Sequence, residues 1–118
     1  MAKTLHEIRD YTIEPEWFER YVQWAREHAV PWLTANLDVV GFWVHGSEPP
    51  DVGGSNPVVS PNGQPNVTWI LRWPDRATRD VEFARTFGSE GWAKVWAKHP
   101  NPDAYLQMNA RFMEPIEP

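Results

Sequence analysis

Four stretches of alternating side chains and two of helical period follow one another in this chain in the order β-α-β-β-α-β, and that order leaves few topologies open. The first stretch runs from Leu5 to Ile13. It places Leu5, Glu7, Arg9, Tyr11 and Ile13 on one face and His6, Ile8, Asp10 and Thr12 on the other, because successive strand side chains point to opposite sides. Both faces mix polar and apolar residues, so the pattern leaves open which of them points inward. Glu7 and Arg9 stand two apart on a common face, near enough to neutralise each other if buried. Glu14-Pro15 ends the strand.

From Glu16 to about Asn36 the pattern is helical. Phe18, Val22, Ala25, Ala29 and Leu33 form one apolar stripe, and Trp17, Tyr21, Trp24, His28 and Trp32 form a second beside it. A sheet covers only one of these, so the other needs the second helix, a long loop or a neighbouring subunit. Pro31 should bend or restart the helix near its last turn. Val39 to His45 is the next strand. Residues 46–66 then lose all periodicity, with Pro49-Pro50, Gly53-Gly54, Pro57, Pro61-Asn62-Gly63 and Pro65. Irregular loops this long are usually functional or mobile, and Asn62-Gly63 leaves room for a small hairpin through Val58-Val59.

Val67 to Trp73 reads as the third strand. Asp75 is positioned to cap a helix with Ala77, Val81, Ala84 and Phe87 (or Phe83) on its apolar side. Gly88 suits that helix's end, and Ser89 the start of a short one lined by Trp92, Val95 and Trp96 and closed by Pro100. In the last strand, Tyr105 to Met113, Gln107, Asn109 and Arg111 oppose Leu106, Met108, Ala110 and Phe112.

Two right-handed βαβ halves in this order build an α+β, ferredoxin-like domain over residues 1–118: a four-stranded antiparallel sheet with both helices on one face. The bare face is expected to carry too many aromatics to meet water. A second copy should cover it, giving a homodimer, a dimeric α/β barrel with an aromatic interior. The eight tryptophans are several times average usage and call for such an interior.

Net charge and composition narrow the partners. A net charge of −5 with scattered basic residues argues against nucleic acid. The absence of cysteine removes disulfides and thiolate chemistry. No stretch approaches the ~20 apolar residues of a membrane span, and the first residues lack a signal-peptide core, so a cytoplasmic protein is expected.

Glu7, Arg9 and Tyr11 are the first candidates for chemistry: a carboxylate, a cation and a phenol that bind a carbonyl or anionic substrate and move a proton, or else a buried ion pair with a capping tyrosine. His28, on the second helical stripe, and His45, at a strand end beside the long loop, are the candidate acid–base histidines. His6 and His99 look peripheral. No histidine pair has metal-binding spacing, and no cofactor is expected; for a haem, His28 and His45 are the only serious axial candidates. Phe42, Trp43, Trp69 and Trp73 are candidates for a wall that stacks on a flat apolar or aromatic ligand, with Gln107, Asn109 and Arg111 as a polar strip orienting it. Arg76, Arg79 and Arg85 read as a solvated helix face. There is no phosphate loop and no nucleophile elbow.

In this order the chain resembles the NIPSNAP family of the dimeric α/β barrel superfamily. The resemblance rests on Glu7-x-Arg9-x-Tyr11, His28-x-x-Pro31 and Gly41-Phe42-Trp43, then on Trp69, Leu71 and Trp73 followed by Asp75, Arg76 and Arg79, and on Arg111 ahead of Pro115. It covers the whole chain except the expanded loop. Trp69 and Leu71 stand where the family pattern has His and Trp, and Trp73 where it has tyrosine, which implies a reshaped, more apolar cavity. The resemblance implies a small barrel protein. Its superfamily relatives include cofactor-independent monooxygenases, cyclases, isomerases, haem-degrading enzymes and plain ligand binders. Two functions are therefore expected: a cofactor-independent enzyme acting by acid–base catalysis on an apolar molecule, or a non-catalytic binding or interaction module.

Overall fold

The structure, a computed structural model, describes residues 5–118. Strands β1 (Leu5–Ile13), β2 (Val39–Val44), β3 (Val67–Trp73) and β4 (Tyr105–Met113) form one sheet in the order β2-β3-β1-β4. Every pairing is antiparallel. With the helices packed on one face, this is the ferredoxin-like α+β arrangement that the βαββαβ order requires. Among the described residues no helix is long and apolar enough to cross a membrane.

The first crossover is one rod with a wide turn in it. Helix α1 (Pro15–Trp24) passes into a π-helical turn at Ala25–Ala29 and then into α2 (Val30–Asn36). Pro31 sits in the first turn of α2, directly after the wide turn. It lacks an N–H and crowds the carbonyl four residues back, so a widened turn ahead of it relieves both problems. The two stripes find different partners. Ala25, Ala29 and Leu33 are buried in the main core. The aromatic stripe packs on the second crossover, where helix α4 (Glu90–Trp96) receives it. Trp24 donates its indole N–H to the Val95 carbonyl at 3.0 Å. Trp24 meets Trp96 at 5.9 Å between ring centres, and Trp32 meets Trp92 at 5.5 Å. A Cβ at Gly91 would stand 3.1 Å from the Trp32 indole, so the glycine lets α4 come this close.

Helix α3 (Arg76–Phe87) starts at Asp75, whose carboxylate accepts from the Thr78 N–H at 2.7 Å. Its buried side is only partly the one its apolar residues suggest, for Phe83 and Phe87 pack on the core but Ala77, Val81 and Ala84 do not. Ala77 and Ala84 are exposed and Val81 is 67% exposed, while Arg79, Phe83 and Phe87 face the interior. The reason is electrostatic. Glu7 is buried on the sheet beneath this helix, and leaving a buried carboxylate without Arg79 costs about 3–5 kcal/mol. Exposing one valine costs less, about 1.5–3 kcal/mol.

The strand register assigns the sheet faces. Glu7, Arg9 and Tyr11 lie opposite Leu71, Trp69 and Val67 on β3 and Phe112, Ala110 and Met108 on β4. Phe42 lies opposite Trp69. This is the helix-covered face. The bare face carries His6, Ile8, Asp10, Thr12, Trp43, Thr68, Ile70, Arg72, Gln107, Asn109 and Arg111. Trp43 is its one aromatic among the described strand residues, so the expectation of an aromatic bare face is corrected. The aromatics belong between the sheet and its own helices, because every strand turns its odd or even aromatic set the same way.

Beyond β2 the long loop crosses the end of the sheet. Asn66 fixes its return: its side-chain amide accepts from the Ile13 N–H at 2.8 Å and donates to the Ile13 carbonyl at 2.9 Å. Farther out, Ser60 bonds the Gln107 side chain and the Asn62 amide reaches the Leu106 carbonyl at 3.5 Å. The Pro61-Asn62-Gly63 turn forms, with the Gly63 N–H on the Ser60 carbonyl at 2.8 Å and Gly63 at φ +81°. The hairpin through Val58-Val59 does not, because Pro57 and Pro61 bracket it and neither can donate to a ladder.

Candidate functional site

A buried charge cluster forms the floor of the site. Glu7 is 0% exposed and its carboxylate accepts four hydrogen bonds. Arg79 grips both oxygens at 2.8 Å, Arg9 Nη1 reaches Oε2 at 2.7 Å, and the Trp73 indole N–H reaches Oε1 at 3.0 Å. Burial alone would raise the Glu7 pKa; the bonds from Arg79 and then Arg9 outweigh it and hold the carboxyl below its ordinary value. Arg9 continues outward from Glu7. Its Nε donates to the Tyr11 hydroxyl at 2.8 Å, and the Trp69 indole N–H donates to the same oxygen at 3.0 Å.

Above this floor, between the sheet and the helices, lies an open cavity of about 850 Å³. Arg9 and Tyr11 line its polar wall, and Phe42, Trp69, Phe83, Phe87, Trp92 and Trp96 supply most of the rest. Trp69 and Phe42 stack at 5.7 Å and 26° between planes, making one flat wall. At the sheet end crossed by the loop, Tyr11, Tyr21 and Tyr105 meet edge to face, with centroids 5.4 and 5.9 Å apart. Such a space suits a flat, mostly apolar molecule with a polar group at one side.

Behind Tyr105 stands His99. The Asn101 N–H donates to its Nδ1 at 3.0 Å, which places the proton of the neutral ring on Nε2, where it donates to the Tyr105 oxygen at 2.9 Å. Burial lowers the His99 pKa from 6.5 to about 4 and raises that of Tyr105. Both are therefore neutral at pH 7. Among the described residues no three His, Asp or Glu side chains come together as metal ligands do.

No family model matches the sequence, and no curated protein matches it by sequence. Solved structures do match its shape. A NIPSNAP family protein of Agrobacterium tumefaciens superposes with a TM-score of 0.72 at 14% identity, over 99% of this chain and 90% of that one. An uncharacterized NIPSNAP domain protein of Burkholderia xenovorans gives 0.68 at 15% identity, over 95% and 94%. This chain has the NIPSNAP fold. A monooxygenase of Streptomyces coelicolor in complex with nanaomycin D is also similar, at a TM-score of 0.52 and 14% identity, over 98% of this chain and 90% of that one.

The NIPSNAP fold divides the residues singled out from the sequence. Arg9, Tyr11, Phe42 and Trp69 come together around the cavity, and Gln107 touches its rim. Glu7 and Trp73 sit behind that wall, bonded to each other. The three residues of the Glu-x-Arg-x-Tyr strand thus point toward the chain's own helices rather than into a space between two sheets. Trp43, Asn109 and Arg111 lie on the bare face, where Asn109 and Arg111 bond Asp10 at 3.4 and 3.2 Å. His28 lies in a separate cleft between the helices with Lys94 and Lys98. His45 is exposed, its Nε2 2.7 Å from the Glu48 carbonyl oxygen. Neither histidine lines the cavity.

Two expectations are reversed. Arg79 is not solvated but 14% exposed on Glu7, and His99 is not peripheral but buried among Trp24, Trp96 and Tyr105. Tyr21, Trp24, Phe83, Phe87, Trp92, Trp96 and Tyr105 belong to the cavity and were not among the sequence candidates. The signal for them was present in the second helical stripe, once α4 is taken as its partner.

Proposed function

We propose that this protein binds a flat apolar or aromatic small molecule in the cavity between its sheet and helices, and acts on it without a cofactor. The observation that carries this reading is the roughly 850 Å³ aromatic cavity with Arg9 and Tyr11 on one wall. Tyr11 accepts two hydrogen bonds, and its own O–H has no acceptor among the described residues, so it is available to a ligand. Arg9 beside it stabilises developing negative charge. As two donors, the pair fits reactions that run through a bound enolate or phenolate whose proton has already passed to water: oxygenation by dioxygen, cyclisation or isomerisation. The likeness to a solved monooxygenase supports the same choice.

Glu7 has a supporting part, since all its acceptor positions are filled and it holds Arg9 in place. That observation also favours a second reading, a binding protein without catalysis, because no carboxylate among the described residues lines the cavity. Anthrone, a flat tricyclic ketone with an acidic methylene, separates the two. Adding it should shift the indole N–H resonances of Trp69 and Trp92, and unmoved resonances would overturn the cavity as a site. Protein-dependent oxygen uptake that falls at least about ten-fold in Tyr11→Phe supports catalysis. Binding with no turnover supports the second reading.

The bare sheet face is the natural seat of a second copy. Trp43 is exposed there, Ile8 and Ile70 are half-buried, and the buried His6 Nδ1 has no partner among the described residues. Sheet-to-sheet pairing would cover all four. A solution mass of 13.7 kDa, that of one chain, would contradict it.

A further inference from the structure

The Arg9 guanidinium has a part that the fold leaves unused. Its Nε is taken by Tyr11 and its Nη1 by Glu7, but Nη2 carries no hydrogen bond among the described residues. It is not among the buried atoms lacking a partner, so it is open to the cavity that Arg9 lines. The Tyr11 hydroxyl beside it likewise keeps its proton unshared, with its oxygen pinned from two sides. Two adjacent donors, held by a buried carboxylate and an indole, thus face one apolar space.

The charge around them is unbalanced. The cluster contains three guanidiniums, Arg9, Arg79 and Arg76, against two carboxylates, Glu7 and Asp80. Asp80 sits on the outer side, bonded to Arg76 and Arg79 at 3.0 and 3.2 Å, and both Arg76 and Asp80 are more than half exposed. Among the described residues lining the cavity, Arg9 is the only charged one. One positive charge is therefore left over, and it faces inward. Excess charge in a site of low polarity selects its opposite.

We infer that the ligand of this cavity is an oxyanion: a flat aromatic ring system bearing one carboxylate, enolate or phenolate, whose charged oxygen sits between Arg9 Nη2 and the Tyr11 hydroxyl. The inference rests on the binding reading proposed above. The rings stack on the Trp69–Phe42 wall, and the oxyanion takes the two donors, Arg9 Nη2 and the Tyr11 hydroxyl, that stand beside it. Glu7 and Arg79 are positioning residues, since they fix the Arg9 guanidinium without touching the cavity. A neutral ligand of the same shape would leave the Arg9 charge partly desolvated and unanswered.

The test compares 2-naphthoate with 2-naphthamide, which share shape and differ in charge, by calorimetric titration of the intact protein. Naphthoate should bind at least about ten-fold more tightly, since charge-assisted bonds are about twice as strong as neutral ones. In Arg9→Met that preference should vanish while naphthamide binding persists. Tyr11→Phe should reduce the preference by a smaller factor, and Lys94→Met, at the separate helical cleft, should leave it intact. A second arm uses 2-naphthol, whose binding should tighten as pH rises through the naphthol's own pKa. Should Arg9→Met not fold, the wild-type comparison alone decides. Equal binding of naphthoate and naphthamide, with no pH dependence for naphthol, overturns the oxyanion assignment and leaves the cavity reading standing. No binding by any of the three overturns the cavity reading as well.

Discussion

Acid should destabilise this protein through His99, whose buried ring stands behind Tyr105. The ring is neutral and enclosed, in contact with Trp24 and Trp96 at 4.4 and 4.5 Å between centres, and burial takes its pKa from 6.5 to about 4. A lowered folded-state value means that the unfolded chain binds the proton more readily between those two pH values. Stability is therefore intact above pH 6.5 and drains away as pH falls toward 4. The whole window is worth about 3 kcal/mol at 1.36 kcal/mol per unit, of which about 2 kcal/mol is lost between about pH 7 and pH 5. Attraction of the cationic ring to the two indoles returns some of this, so 2 kcal/mol is an upper figure. Urea denaturation is the assay. With a slope of about 1–3 kcal/mol per molar, the midpoint should fall by about 1 M between the two pH values. In His99→Gln, which keeps a donor for Tyr105, the drop should be clearly smaller than in the wild type. An equal drop in variant and wild type would falsify the assignment to His99.

Arg79→Met leaves Glu7 buried with Arg9 as its single cation, and should cost about 3–5 kcal/mol by chemical denaturation; Arg79→Lys, unable to grip both oxygens, should recover only part. Asn66→Ala strips the Ile13 backbone of both its partners and should cost about 1–3 kcal/mol, with faster hydrogen exchange at the Ile13 amide.

The fold was legible in the chain because its elements announce themselves by period. The alternation from Leu5 to Ile13 and from Val67 to Trp73, the caps at Asp75 and Ser89 and the break at Pro31 all appear where the pattern puts them. The site was half legible. Glu7, Arg9 and Tyr11 share a strand face, so their proximity follows from a spacing of two. That Arg79 joins them does not, since nothing local marks it from Arg76 or Arg85; only a buried Glu7 across the interior selects it. The bare face was misjudged for a related reason. Trp43 and Phe42 are neighbours in sequence and lie on opposite faces, and register against β3, set by the whole sheet, decides which one meets the helices. His99 lies between α4 and β4, outside any element, and so is invisible to periodicity.

The place of β1 in the middle of the sheet governs how the chain can be made. β1 begins at Leu5 and is synthesised before both its neighbours, which begin at Val67 and Tyr105. Until β4 has been translated, β1 has an open edge, and Glu7, paired locally with Arg9, waits for its second cation, Arg79, which arrives with α3. The nascent chain therefore carries, until β4 is made, an unpaired, partly apolar strand, the kind of segment on which chaperones act and from which aggregates grow. Closure of the sheet waits on β4, and variants that slow its docking should show their effect in yield from the cell before they show it in the finished protein.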